Sequence, residues 1–141
     1  KVSADVDPGL LAELIDVCEH HCIRGYVAVN TSSGRDHLSS DAAFVQSCGR
    51  GGLSGKAIQA KSTKIIRFIH EKTKGGKIIV GVGGIFSAED AIEKLRAGAN
   101  LLQIYTGLVY EGPDLVKKIN QGISQTLRDE GKEHVYQLVS G

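Results

Sequence analysis

Apolar residues recur along the chain in two alternating patterns, one with helical spacing and one in short continuous runs. Asp7 followed by Pro8 is a typical helix start, and the apolar stripe that follows closes near Gly25. Further helical stripes predict helices over 62–74, 87–98 and 112–131. Short apolar runs predict strands at Tyr26–Val29, Ile78–Val82 and Leu101–Ile104, with a further strand entering at Lys1-Val2.

Short apolar strands that alternate with amphipathic helices predict an α/β fold with a parallel sheet and right-handed crossovers. Three to four such units fit either half of a (β/α)8 barrel or a small open sheet, and the pattern itself leaves both open. Residues 31–55 are rich in Ser, Gly and Asp without periodicity, so we expect a long loop there.

Composition excludes several classes of protein. The 141 residues carry a net charge of +1 and are 41% hydrophobic, which is typical of one globular domain and argues against nucleic-acid binding. The sequence shows no membrane-length apolar run and no secretory signal. It also lacks methionine, so Lys1 is not expected to be a natural start. The 18 glycines are close to twice the usual ~7%.

The cysteines do not predict a disulfide framework or a metal site. Their number is odd, and Cys18 and Cys22 would share a helix face from which His20 and His21 point away. We therefore expect Cys18 and Cys22 to be small buried thiols, no bound metal, and a reducing intracellular compartment.

Polar and glycine-rich segments follow the predicted strands, where ligands of parallel α/β folds bind. Gly55-Lys56 is not a P-loop, because Arg50 and Ala57 replace the required glycine and hydroxyl residue. Gly81 and Gly83 do not form a dinucleotide fingerprint, because Phe86 replaces its third glycine. Two loops one βα unit apart instead predict a phosphate site, built on Gly83-Gly84 with the helix capped by Ser87, and on Tyr105-Thr106-Gly107. The alternative is that these glycines only form tight turns.

Three segments together carry a family resemblance. The segments Gly51-Gly52-Leu53-Ser54-Gly55-Lys56, Gly81-Val82-Gly83-Gly84-Ile85 and Gln103-Ile104-Tyr105-Thr106-Gly107, with Gly112-Pro113 after them, resemble the C-terminal half of class 2, quinone-linked dihydroorotate dehydrogenase. The resemblance implies an FMN-containing (β/α)8 TIM barrel, of which residues 1–141 form about the last four βα units. It implies oxidation of dihydroorotate to orotate with quinone as acceptor, in pyrimidine (UMP) biosynthesis. It also implies peripheral attachment to a bacterial or mitochondrial inner membrane.

The resemblance assigns roles to individual residues. It implies that FMN is bound by Lys1, Val29, Gly55, Gly84, Tyr105 and Thr106, and the dihydroorotate or orotate by Asn30 and Thr31. Position 29 is usually Thr in the family, so only a backbone contact is expected from Val29. No catalytic residue is expected in this chain, because the family's serine base belongs to the first half of the barrel.

The sequence leaves two other interpretations open. The chain could be a non-catalytic half-barrel that binds flavin or phosphate and pairs with itself or with the missing barrel half. It could also belong to another phosphate-anchored barrel enzyme, although the Asn30-Thr31 pair speaks against this. Residues 34–49 are expected to form a substrate lid, and Arg35, His37 and Lys56 to be solvated loop charges.

Overall fold

A computed structural model describes residues 1–36 and 38–139 of the chain. Strands and helices alternate as predicted, with three additional short helices. The elements are α1 (Pro8–His20), β1 (Gly25–Ala28), α2 (Ala42–Ser47), a 3-10 turn (Gly55–Ile58), α3 (Gln59–Lys72), β2 (Ile78–Val82), α4 (Ala88–Arg96), β3 (Leu101–Gln103), α5 (Thr106–Glu111), α6 (Asp114–Asp129) and α7 (Tyr136–Val139).

In the described part of the chain, β1, β2 and β3 form a parallel sheet in that order. Val27 pairs with Val80, and Val80 with Leu101, so the carboxyl ends of the strands meet at one edge. Val2 adds a parallel bridge outside β1, where its amide donates to the carbonyl of Val27 at 2.9 Å. This is the position expected for an entering strand at Lys1-Val2.

Two apolar clusters hold the helices in place. The first packs α1 and α3 against the sheet around Ile66, Ile69 and Ile79, each of which has no exposed surface. The second joins α4, α6 and α7 around Leu95 and Leu115. Because burial of one such side chain contributes about 1.5–3 kcal/mol, these clusters fix the helices relative to the strand ends.

The caps of two helices agree with the sequence. Asp7 accepts hydrogen bonds from the amides of Gly9 and Leu10, at 2.8 and 3.3 Å, and Ser87 accepts from the amide of Asp90 at 3.2 Å. Both side chains satisfy amides that a helix leaves unpaired in its first turn. The predicted starts of α1 and α4 are therefore confirmed.

The prediction of loop structure throughout 31–55 is wrong for α2. Asp41 caps this helix by accepting from the amides of Ala43 and Phe44. The helix has only six residues and none of them is buried, so it is too short to show a helical apolar period in the sequence. Helix α5 was also not predicted, and α3 begins at Gln59, earlier than expected.

The segment that contains α2 is closed at its base. Ser32 and Leu53 form an antiparallel bridge, with hydrogen bonds of 2.9 and 2.7 Å between their backbones. The Arg35 guanidinium donates to the carbonyls of Ser32 and Gly51 within this base. Arg35 is therefore a structural contact, and its prediction as a solvated charge is wrong. His37 lies outside the described residues.

Candidate functional site

A cavity of about 520 Å³ opens at the carboxyl ends of the three strands. Its walls come from loops that are far apart in sequence, after β1, before α3, after β2 and after β3. The structure brings all of the predicted site residues into its lining: Lys1, Val29, Asn30, Thr31, Gly55, Gly84, Tyr105 and Thr106.

Gly84 is at a position that has no room for a side chain. Its φ is +76°, and a Cβ atom there would lie 2.4 Å from the Cβ of Gln59 and 2.6 Å from its Cα. Gly55 also has a positive φ, +79°, and a Cβ there would lie 3.1 Å from Cγ2 of Thr106. Both loops therefore present bare backbone to the cavity.

The loop after β3 supplies hydrogen-bond donors. Helix α5 begins at Thr106, and no side chain of the described residues caps its first turn. Its first amides can therefore donate to an anion. The Thr106 hydroxyl donates to Oγ of Ser54 at 2.8 Å, which joins this loop to the loop of Gly55. The Tyr105 side chain is 79% exposed.

Helix α4 does not contribute to the cavity as the sequence suggested. The amides around its start donate to the chain's own side chains: the amide of Asp90 to Ser87, and the amide of Phe86 to the carboxylate of Asp90. Among the described residues, none of α4 lines the cavity. The expectation that this helix offers its positive end to a ligand is therefore wrong.

The opposite wall of the cavity is formed around Asn30. The amide of Asn30 donates to the carbonyl of Val2 at 2.8 Å, and the amide of Val29 donates to the carbonyl of Val82 at 3.0 Å. The Asn30 side chain is exposed, while Val29 is buried. The backbone of Asn30 is thus fixed at the strand end, and its amide side chain is free to contact a ligand.

Asp5 anchors the loop that follows Asn30-Thr31. Its carboxylate accepts from Oγ of Ser32 at 2.6 Å, from the amide of Ser33 at 2.6 Å and from Lys61 at 3.1 Å. The hydrogen bonds from Ser32 and Ser33 hold the pKa of Asp5 well below its usual value. The carboxylate is therefore charged at neutral pH.

Lys56 pairs with a carboxylate on α4. Its Nζ lies 2.8 Å from Oδ2 of Asp90 and 5.2 Å from the centre of the Phe86 ring. Burial raises the pKa of Asp90, but the hydrogen bonds from Lys56 and the Phe86 amide outweigh burial, and the net pKa is lowered. The Lys56 side chain is 57% exposed, as expected of a solvated charge, and the ion pair with Asp90 is an addition that the sequence did not predict.

Lys94 was not singled out by the sequence. It has no exposed surface, and its Nζ donates to the carbonyl of Gln59 at 2.7 Å and to the hydroxyl of Thr63. Burial lowers the pKa of Lys94 to about 8. A usable signal was its spacing, because Lys94 lies one helical turn from the buried Ala91, on the face that packs inward.

Residues of the predicted lid line a neighbouring cavity of about 560 Å³, which includes Leu38, Phe44 and Val45 of that segment. Its role as a lid stays a prediction.

Cys18 is partly buried and Cys22 is exposed, so the expectation of a buried thiol is wrong for Cys22. Within residues 1–36 and 38–139, no group of three or more His, Cys, Asp or Glu could hold a metal, and no helix could cross a membrane.

Comparisons with known proteins agree on one family. The family model for dihydroorotate dehydrogenase matches residues 1–127. The chain belongs to the dihydroorotate dehydrogenase family. The chain is 43% identical to a dihydroorotate dehydrogenase (quinone) of Acaryochloris marina and 41% identical to that of Trichodesmium erythraeum, in each case over 99% of this chain.

Solved structures of the family have the same fold. Ligand-free dihydroorotate dehydrogenase of Eimeria tenella matches 96% of this chain with a TM-score of 0.87 and 27% identity. The ferulenol complex of that enzyme matches with a TM-score of 0.86. The prediction of an α/β fold that is part of a (β/α)8 TIM barrel is confirmed. The chain spans 38% of the length of the Acaryochloris and Trichodesmium relatives and 37% of the ligand-free Eimeria chain.

Proposed function

We propose that residues 1–141 are the C-terminal half of an FMN-binding barrel that oxidises dihydroorotate to orotate and passes the electrons to a quinone. The observation that carries the proposal is the single cavity at the strand ends, which gathers every residue that the family resemblance assigns to cofactor or substrate. The family match and the printed name of the relatives support the reaction and its acceptor.

The phosphate of FMN fits the part of the cavity between Gly55, Gly84 and Thr106. The two glycine loops let the backbone approach a ligand closely, and the uncapped start of α5 offers amide donors. The hydroxyls of Thr106 and Ser54 lie beside these amides and can turn toward a phosphate oxygen.

The substrate and the flavin ring would lie toward Lys1 and Asn30. The Asn30 amide group can both donate to and accept from the edge of a planar pyrimidine, and the Thr31 hydroxyl is its neighbour. Lys1 places an ammonium group in the same wall, where it would stabilise negative charge on the flavin ring. Val29 would contribute its backbone.

A bound FMN would supply the acceptor for the hydride from C6 of dihydroorotate. The C5 proton would be taken by a serine in the preceding half of the barrel, so we assign no catalytic residue to this chain. These residues would bind the phosphate and orient the pyrimidine. Peripheral membrane attachment would come with the quinone, which we assign to the part of the relatives outside this chain.

A flavin titration tests the proposal on the purified chain. Quenching of flavin fluorescence should give saturable FMN binding that is at least about tenfold tighter than riboflavin binding, because only FMN carries the phosphate. Equal affinity for the two flavins would exclude the phosphate site. Asn30→Ala should leave FMN affinity unchanged and weaken orotate binding to the FMN-loaded chain.

One set of observations favours association as a second candidate property. β3 pairs only with β2 in the described part of the chain, and Leu101, Val109 and Tyr110 are more than half exposed. An unpaired strand edge beside apolar side chains favours pairing with the first barrel half or with another copy. Sedimentation equilibrium should show a dimer or larger species, and a monomer at high micromolar concentration would exclude self-association.

A further inference from the structure

One carboxylate connects the two glycine loops of the cavity from behind. Asp90 is buried in the first turn of α4 and accepts hydrogen bonds from three groups in two segments of the chain. Oδ2 accepts from Nζ of Lys56 and from the amide of Phe86, both at 2.8 Å, and Oδ1 accepts from Nε2 of Gln59 at 2.7 Å.

These contacts reach both glycine loops, the one that contains Gly55 and the one that contains Gly84. Lys56 directly follows Gly55, and Phe86 lies two residues after Gly84. Gln59 is the residue on which Gly84 packs, with no room for a Cβ atom between them. Asp90 therefore bonds to a neighbour of each loop and to the side chain that supports the Gly84 backbone.

Helix capping explains only part of this arrangement. Ser87 already caps α4, and a third-residue carboxylate that reaches back to an amide before the helix resembles a capping box. The hydrogen bonds to Lys56 and Gln59 serve no helix end of α4. Lys94, also on α4, holds the backbone of Gln59 in place, since its Nζ donates to the carbonyl of Gln59.

We propose that Asp90 is a positioning residue that holds the Gly55 and Gly84 loops at the separation required by the ligand's phosphate group. The proposal rests on the proposed function for the identity of the ligand. Asp90 does not line the cavity and acts through Lys56, Gln59 and the Phe86 amide.

The direction in which Asp90→Asn changes the affinity for FMN distinguishes a positioning role from a purely electrostatic one. Asp90→Asn removes a negative charge near an anion site and leaves Lys56 unneutralised, so electrostatics alone would tighten FMN binding. Positioning requires the opposite result. Glu89→Gln is the matched control, because Glu89 is exposed in the same helical turn and loses the same charge.

The first measurement is the affinity of each variant for FMN and riboflavin. We expect Asp90→Asn to weaken FMN binding about tenfold and to leave riboflavin binding unchanged, because loss of charge-assisted hydrogen bonds loosens only the phosphate loops. Glu89→Gln should bind FMN as the parent chain does. FMN binding by Asp90→Asn that is equal to or tighter than that of the parent would overturn the proposal.

Amide hydrogen exchange gives a second readout that needs no flavin. Asp90→Asn should speed exchange in both 55–58 and 83–87, whereas faster exchange in 83–87 alone would reduce Asp90 to a helix cap. If the parent chain binds no FMN, the proposed function fails, and exchange still decides the positioning role.

If Asp90→Asn does not fold, Lys56→Met tests the same ion pair by removing its other partner, whose side chain is exposed. Exchange in 55–58 should then rise relative to the parent and to Lys64→Met, which removes an exposed lysine from α3. Unchanged exchange would contradict the proposal.

Discussion

Thr106 donates its hydroxyl proton to Oγ of Ser54 at 2.8 Å, which joins the loop after β3 to the loop before α3. Thr106→Val keeps the shape of the side chain and removes the hydroxyl. We expect FMN affinity to fall by at least about tenfold, since a hydrogen bond to a charged group contributes about 1.5–3 kcal/mol. Fluorescence titration with FMN and riboflavin measures the loss, which should be confined to FMN. Thr126→Val, on α6, is the control, and an equal loss there would refute the assignment.

Gly84→Ala should abolish measurable FMN binding and lower stability. A Cβ atom at this position would overlap Gln59, and the φ of +76° is itself unfavourable for alanine. Gly131→Ala separates the two causes, because Gly131 has a φ of +63° but open space around it. Chemical unfolding and FMN titration of both variants check the prediction. Equal effects in the two variants would show that backbone strain alone, and not the contact with Gln59, is responsible.

Much of the fold follows from local signals in the sequence. Asp7 before Pro8, and Ser87 before acidic residues, mark helix starts that the structure reproduces. The apolar run Ile78–Val82 corresponds to β2 without change. The grouping of site residues could be predicted because the carboxyl ends of parallel strands lie at one edge of a sheet.

The remaining features depend on tertiary contacts that local patterns do not encode. The pairing of Lys56 with Asp90 joins residues 34 positions apart. Helix α2 has no buried face, and α5 starts within the Tyr105-Thr106-Gly107 segment that the sequence marks only as a strand end. The spacing of Lys94 on α4 indicates an inward face, but the acceptors that allow a lysine to be buried there lie on α3, more than 30 residues away.

Asp5→Ala should destabilise the chain by about 1–3 kcal/mol, because the buried hydroxyl of Ser32 loses its acceptor. The native pKa of Asp5 is lowered, so its stabilisation is complete above the ordinary pKa of 3.8 and is lost as the pH falls below that value. Urea unfolding at a series of pH values between about 2.5 and about 7, in steps of about one pH unit, measures both effects. Asp36→Ala, an exposed carboxylate of the same loop, serves as the control; a loss of stability equal to that of Asp5→Ala would disprove the anchoring role.

Lys94 makes stability depend on alkaline pH. Its pKa is about 8 in the folded chain and 10.5 ordinarily, so between these values the unfolded chain holds a proton that the folded chain has released. The free energy of unfolding should therefore rise with pH across this window, by up to about 1.4 kcal/mol per pH unit.

Urea unfolding between about pH 7.5 and about pH 10.5 measures how the free energy of unfolding changes with pH. Lys94→Met should remove the contribution of Lys94, and Lys118→Met, at an exposed site on α6, should retain it. Parallel curves for the parent chain and Lys94→Met would show that Lys94 does not titrate in this range.

The backbone bridge between Ser32 and Leu53 fixes the two ends of the loop that lies between them. Extra residues introduced between Ser39 and Ser40, which are both exposed, would add only loop-closure entropy, about 0.6 kcal/mol for each doubling of length. The strand ends and the cavity would not have to move. A reporter peptide or an affinity epitope can therefore be inserted at this point of the loop without moving the strand ends.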